Sequence, residues 1–322
     1  MLGGRVAPGT EVVPGDLLQP ASLDAAFAGV DTAFYLVHAL QSGAEFESLE
    51  KEAASNFASA AGRGGLRRII FLGGLTHGDA LSPHMRSRLE IGNILRASGI
   101  PVIEFRASTV IGSGSASFEL IRALVEQLPV MITPRWVHTP AQPIAIEDVV
   151  DYLVEAIEVQ AGEGLVVEIG GTDVTSYLGI MREYARQRNL RRWFLAVPFL
   201  SPTLSSRWLT LITPIYASIG RCLIESVRNA SVVRHPEKSR HFRVQPVGLK
   251  CAIERALANE DQVCPETRWS DSGYVGPQQA ASEPGIAALS NIQEVRVPLS
   301  AVQNRADLLR EPLKADGFRP GF

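Results

Sequence analysis

Residues 67–108 read RRIIFLGGLTHGDALSPHMRSRLEIGNILRASGIPVIEFRAS, and their punctuation decides the fold. Arg68–Leu72 is a short apolar run rich in β-branched and aromatic residues, which reads as a buried strand. Gly73-Gly74 ends it, leaving a bare backbone that a ligand can approach closely. Pro83 then leads into a helix over His84–Ala97, and Gly99 stands where a helix C-cap glycine belongs. Val102–Arg106 is a second apolar strand. Strand, helix and strand in that order make a parallel βαβ unit.

The same rhythm extends in both directions. Further strands are expected at Glu11–Val13, Thr32–Val37 and Val166–Ile169. Helices are expected at Leu23–Val30, Glu45–Ala61, Ala116–Leu128 and Glu147–Glu158. Gly62-Arg63-Gly64-Gly65 closes the second of these. The fold class is therefore α/β, a Rossmann-like doubly wound parallel sheet, over residues 1–174. From 175 to 260 the pattern turns mainly helical, as a small C-terminal substrate lobe on the same fold. Beyond 261 no period is sustained, and a disordered tail over 261–322 is expected.

Composition narrows the function classes. The 322 residues are 46% hydrophobic and carry a net charge of −3, which argues against a nucleic-acid-binding surface. The three cysteines, Cys222, Cys251 and Cys264, are widely spaced and form no CxxC or Cys/His metal pattern. They point to free thiols in a reducing, cytoplasmic setting, with no metal site. The N-terminus has no basic-then-apolar signal-peptide pattern. The most apolar run, WLTLITPIYASIG at 208–220, is thirteen residues long and too short to span a bilayer comfortably. It reads as a core helix, a subunit contact or a peripheral membrane contact.

Several strand ends carry polar or glycine residues. Ligands of open α/β sheets bind at the carboxyl ends of the strands. Asp16, at the end of the first expected strand, has the chemistry to accept hydrogen bonds from an adenine amino group. A turn Asp capping the next helix reads equally well, as does Ser22 in that role. His38 ends the strand in AFYLVHAL, where a contact to cofactor ribose or phosphate competes with a simple polar strand end. His84 and Arg88 lie four apart on one helix face. IGSGS at 111–115 joins a strand to a helix but is no phosphate fingerprint. It is expected to line the substrate side.

In order and spacing, the segments GDLLQPASL, DTAFYLVHAL, RRIIFLGGL, SPHMRSRLEIGNILRASGIPVIEFRASTVIGSGSASF, PIAIEDVVDYLVEAI and EIGGTDVTSYLGIM resemble the atypical short-chain dehydrogenase/reductase superfamily, near its NmrA-like NAD(P)-binding branch. The resemblance covers about residues 5–258. It implies a cofactor, NADP or NAD with NADP slightly preferred. It also implies adenine contacts at Asp16 and neighbouring Leu17, and cofactor contacts along Leu36, Val37 and His38. Gly73 and Gly74 would lie near the nicotinamide, with Ala107 and Ser108 flanking nicotinamide and substrate.

Two departures from the family pattern stand out. The glycine-rich phosphate loop, with its strand and helix, does not precede Asp16; Gly3, Gly4 and Gly9 lack its spacing. This implies an N-terminally shortened member whose first βαβ unit is missing. The superfamily's Tyr-x-x-x-Lys pair is absent too, and the aligned place reads His84-Met85-Arg86-Ser87-Arg88. His84 is then the proton donor, since imidazole titrates near neutrality, and Arg88 a ribose or phosphate contact. The leading functional reading is an NAD(P)-binding oxidoreductase acting on a small organic substrate. A non-catalytic NAD(P)-binding redox sensor or assembly factor is the alternative, and an inactive fragment is the third.

Overall fold

A computed structural model of the chain describes residues 9–38, 46–78, 81–159, 162, 164–196, 226–260 and 293–296. The strands are β1 (Glu11–Pro14), β2 (Thr32–Tyr35), β3 (Arg68–Gly74), β4 (Val102–Ala107), β5 (Val110–Ile111), β6 (Val130–Thr133), β7 (Pro140–Ala141), β8 (Ile144–Ala145), β9 (Leu165–Ile169), β10 (Thr175–Ser176), β11 (Trp193–Ala196) and β12 (Gln293–Arg296). The helices are α1 (Asp24–Phe27), α2 (Phe46–Arg63), α3 (Pro83–Ala97), α4 (Ala116–Gln127), α5 (Ile146–Glu155), α6 (Tyr177–Gln187) and α7 (Leu249–Glu260).

Four strands form the central sheet in the order β2-β3-β4-β9, all parallel. Ile69, Ile70 and Phe71 of β3 are fully buried, because helices cover both faces of the sheet. On one face α2 supplies Ala53, Ala54, Phe57, Ala60 and Ala61, and α3 supplies Ile91 and Leu95. The small alanines let α2 lie close to α3. On the other face Phe105 meets Tyr152 of α5 and Phe242 in a cluster of tilted and edge-on rings. Ser82 caps α3 by accepting from the Met85 amide, with Pro83 at the first helical position. Gly65 and Gly99 take φ of +71° and +80°, the left-handed turns that end α2 and α3.

Several expectations are corrected. The helix expected over Leu23–Val30 is a 3-10 turn at Pro20–Ser22 followed by the four-residue α1. Gly29, at φ +73°, cuts it short. β1 is not a member of the parallel sheet. It pairs antiparallel with β12, Glu11 opposite Arg296 and Pro14 opposite Gln293. Four residues of the expected disordered tail are thus a strand, because the exposed edge of β1 offers ladder hydrogen bonds. The rest of 261–322, the run at 208–220, Cys222 and Cys264 lie outside the described residues.

The C-terminal lobe is not purely helical. β11 runs parallel to β6, Trp193 opposite Val130. Its apolar core joins Phe118, Ile121 and Val125 of α4 to Ile180 and Tyr184 of α6 and Ile253 of α7. α4 and β6, which precede residue 175, therefore pack with the lobe.

Candidate functional site

A cavity of about 260 Å³ opens where the carboxyl ends of β3 and β4 face this lobe. Gly73, Gly74, Ala107 and Ser108 form its sheet side, and His38 and His84 one wall. Leu120, Leu124, Trp136 and Met181 make the opposite, apolar wall. The chain's crossovers bring these residues together from β3, β4, α3, α4 and α6 and from the segments that follow β2 and β6.

The polar wall is a continuous hydrogen-bonded chain. Glu50 Oε1 lies 2.6 Å from His38 Nδ1, His38 Nε2 lies 2.7 Å from His84 Nε2, and His84 Nδ1 lies 2.9 Å from Ser226 Oγ. Ser226 Oγ is in turn 3.1 Å from Ser82 Oγ. The other Glu50 oxygen accepts from the Ser87 hydroxyl. The imidazole planes differ by 9° and their centres lie 4.8 Å apart, close to the nitrogen contact plus both ring radii. The rings therefore meet edge to edge in nearly one plane, the geometry of an N–H donating to a lone pair, and not face to face.

Arg88 lies beneath this wall and is itself buried. Its guanidinium donates to the Val37 carbonyl at 3.1 Å and to the Leu72 carbonyl, and its cation sits 4.9 Å from the Phe71 ring centre. It ties the ends of β2 and β3 together, so its fork faces backbone carbonyls, where the sequence reading had a ribose or phosphate.

These surroundings set the charges. Burial works against the Glu50 carboxylate, yet hydrogen bonds from His38 and Ser87 and the charge of Arg88 hold its pKa down to about 2. Burial, with His38 and Arg88 nearby, lowers the His84 pKa to about 3. Burial also lowers His38, against the pull of Glu50. At neutral pH the wall therefore holds one carboxylate and two neutral imidazoles.

A second polar group lines the lobe side. Thr109 Oγ1 donates to Tyr177 Oη at 3.0 Å, and Ser108 Oγ lies 2.9 Å from Ser231 Oγ. Burial raises the Tyr177 pKa, so it stays a neutral phenol. The Trp136 indole N–H and the Thr76 hydroxyl are buried with no hydrogen-bond partner among the described residues.

The structure thus gathers His38, Gly73, Gly74, His84, Arg88, Ala107 and Ser108 at one cavity and leaves four expected residues away from it. Asp16 is engaged in its own turn. Its Oδ1 accepts from the Leu18 amide and its Oδ2 from Gln19 Nε2, the turn-capping alternative. Ser22 does not cap the helix; its hydroxyl donates within the same turn. The Leu17 side chain is core, 1% exposed, and its carbonyl accepts from Asn56. Leu36 points outward at 53% exposure. Val37 contributes its carbonyl to Arg88 and packs its side chain against the core.

Sequence reasoning missed Glu50, Ser226, Trp136 and Tyr177. Glu50 did leave a signal: it sits four residues after Phe46 and three and four before Ala53 and Ala54, a lone acid on the buried face of α2. Among the described residues no group of three or more His, Cys, Asp and Glu could hold a metal ion. Among them also no helix is long and apolar enough to cross a membrane.

The parallel sheet with helices on both faces is a Rossmann-like fold. Residues 4–101 match the NAD(P)H-binding family model, so the chain carries an NAD(P)H-binding domain in that segment. Solved structures of similar fold include triphenylmethane reductase from Citrobacter sp., 17% identical over 76% of this chain and 82% of that one, with a TM-score of 0.58. The same reductase complexed with NADP(H) gives a TM-score of 0.56 at 16% identity, over 75% and 82% of the two chains. UDP-glucuronic acid 4-epimerase from Bacillus cereus, complexed with UDP-glucuronic acid and NAD, is 16% identical over 76% and 79%, with a TM-score of 0.56. At these identities the likeness is one of fold. No curated protein sequence matches. The fold agrees with the one that the sequence resemblance implies, and the match over residues 4–101 with its NAD(P)H binding.

The described residues fit one end of such a cofactor. Gly73 and Gly74 at the end of β3 line the cavity, with the Met85 sulfur 3.1 Å from where a Cβ on Gly74 would stand, and the Thr76 hydroxyl, without a partner among the described residues, lies two residues beyond them. Arg88 is the one Arg or Lys among the described residues lining the cavity, and it donates to the Val37 and Leu72 carbonyls.

Proposed function

We propose that the protein is an NAD(P)-dependent oxidoreductase whose small organic substrate occupies the cavity between the strand ends and the lobe. The observation that carries this reading is the hydrogen-bonded wall from Glu50 to Ser226. It brings acid/base groups to within reach of the same glycine-lined strand ends that suit a nicotinamide ring. When bound, the cofactor supplies or takes the hydride. The protein's part is to orient, exclude water and move the proton. Gly73 and Gly74 admit the ring, Ser108 and Tyr177 offer hydroxyls to the substrate's polar end, and His84 is the acid/base group. The apolar wall of Leu120, Leu124 and Met181 favours a substrate with a compact hydrocarbon body and one oxygen function.

A cytoplasmic setting agrees with Cys251, a free thiol. The test is turnover: NADPH oxidation with a panel of carbonyl compounds, and NADP reduction with the matching alcohols, each repeated with the NAD pair. Activity that drops about a hundredfold or more in His84→Ala is expected. Undiminished turnover in that variant removes His84 from the chemistry. Cofactor binding without turnover by any substrate would favour the redox-sensor alternative.

A further inference from the structure

We propose that Ser226, His84, His38 and Glu50 form a proton relay polarised away from the cavity, with Ser226 the group that touches substrate, so that the site acts as a base on an alcohol. This rests on the oxidoreductase reading above and gives it a direction.

The polarity follows from the donors and acceptors in order. An ionised carboxylate only accepts, so at 2.6 Å from Glu50 the His38 Nδ1 must carry the hydrogen. A neutral imidazole has one N–H, so His38 Nε2 is then a lone pair. The partner nitrogen 2.7 Å away, His84 Nε2, must therefore be the donor. That leaves His84 Nδ1 a lone pair, and the Ser226 hydroxyl 2.9 Å from it must donate. Ser82 completes the order: its hydroxyl accepts from the Met85 amide and has its own hydrogen to give to Ser226. The in-plane meeting of the two rings suits the central link, and the low pKa values of Glu50, His38 and His84 support the charge state it needs.

In this arrangement His84 has no hydrogen to offer the cavity; it has a lone pair. With a bound NAD(P)+ taking up the hydride, the substrate's O–H proton would pass to Ser226 Oγ. The Ser226 proton passes to His84 Nδ1, and the C–O single bond becomes C=O. The imidazolium so formed is balanced through His38 by the Glu50 carboxylate, and the proton is released to water when the cavity opens. Products are a carbonyl compound and NAD(P)H. Ser226 is the catalytic contact; His38 and Glu50 are positioning residues. Burial first, and then the charge of Arg88 on the same helix as His84, keeps the resting imidazoles neutral.

The first test needs neither cofactor nor substrate. Nitrogen-15 spectra of the imidazoles at neutral pH should show His38 protonated on Nδ1 and His84 protonated on Nε2. His84 carrying its hydrogen on Nδ1, or charged, would overturn the polarity even if cofactor binds well. Absence of cofactor binding with the expected tautomers would instead sink the oxidoreductase reading and leave the relay standing.

The second test compares variants in alcohol oxidation. Ser226→Ala should lose about a hundredfold in kcat while cofactor affinity is kept. Glu50→Gln keeps the acceptor for His38 but not the charge, so it should keep the tautomers and KM and lose about tenfold or more in kcat. Unchanged kcat in either variant contradicts the proposal.

Discussion

His38 Nε2 and His84 Nε2 lie 2.7 Å apart in nearly one plane, although 46 residues separate them in the chain. One ring follows β2 and the other opens α3, so their contact depends on the sheet and its flanking helices being in place. Buried there, with Arg88 beside them, both imidazoles resist protonation.

That resistance makes stability depend on pH. His84 has an ordinary pKa of 6.5 when unfolded and about 3 when folded. The unfolded chain therefore takes up a proton first, and the stability due to His84 falls as pH drops from 6.5 towards 3. Glu50 acts with the same sign over a lower range, from its ordinary 4.5 down to about 2. The other charged group acting on the pair is Arg88; Tyr35, which lies near Glu50 and Arg88, is kept a neutral phenol by burial. Calorimetric melting between pH 7.5 and 4 should show a continuous fall, with His84 contributing roughly 3 kcal/mol at pH 4.5. His84→Phe should flatten the part between 6.5 and 4.5.

Arg88 is expected to matter for the fold more than for phosphate binding. Arg88→Met leaves the Val37 and Leu72 carbonyls without their donors and the Glu50 carboxylate without a cation. The loss should be about 3 kcal/mol in denaturant unfolding. Arg88→Lys should recover little of it, because an ammonium cannot fork to two carbonyls in fixed geometry.

Trp136 lines the apolar wall, and its indole N–H is buried with no acceptor among the described residues. Trp136→Phe keeps the ring and removes the donor. It should leave the melting temperature unchanged or slightly raised, because a buried donor without an acceptor costs stability. A melting temperature several degrees lower would mean that the N–H has an acceptor.

Gly92 lets α3 pass over β4 at the buried Glu104 carboxylate. A Cβ there would fall 2.6 Å from a Glu104 oxygen. Gly92→Ala should therefore destabilise by about 1–3 kcal/mol despite its better helix propensity, as overpacking does. A melting temperature at or above that of the parent would contradict this packing.

The parallel core was legible because β3, β4 and β9 are mostly apolar, with Arg68, Glu104, Arg106 and Glu168 the exceptions, and their helices carry clear stops at Gly65 and Gly99. The β1–β12 pair was not, since its two strands lie far apart in a stretch with no period of its own. At the site, His38, Gly73, Gly74, His84, Arg88 and Ser108 were legible as strand-end and helix-start polar groups. Arg88's carbonyl partners were not, because a helix face does not say what backbone it will meet. Ser226 arrives from a segment whose pattern says nothing of a cavity, and Glu50 was hidden among the charges of an alanine-rich helix.

The most direct measurement is a calorimetric titration of the whole chain with NADPH and with NADH, beside the same titrations of Gly74→Val. The account predicts saturable one-to-one binding of at least one cofactor and clear weakening when a side chain is placed on the β3 end. A chain that melts cooperatively and binds neither cofactor would contradict it.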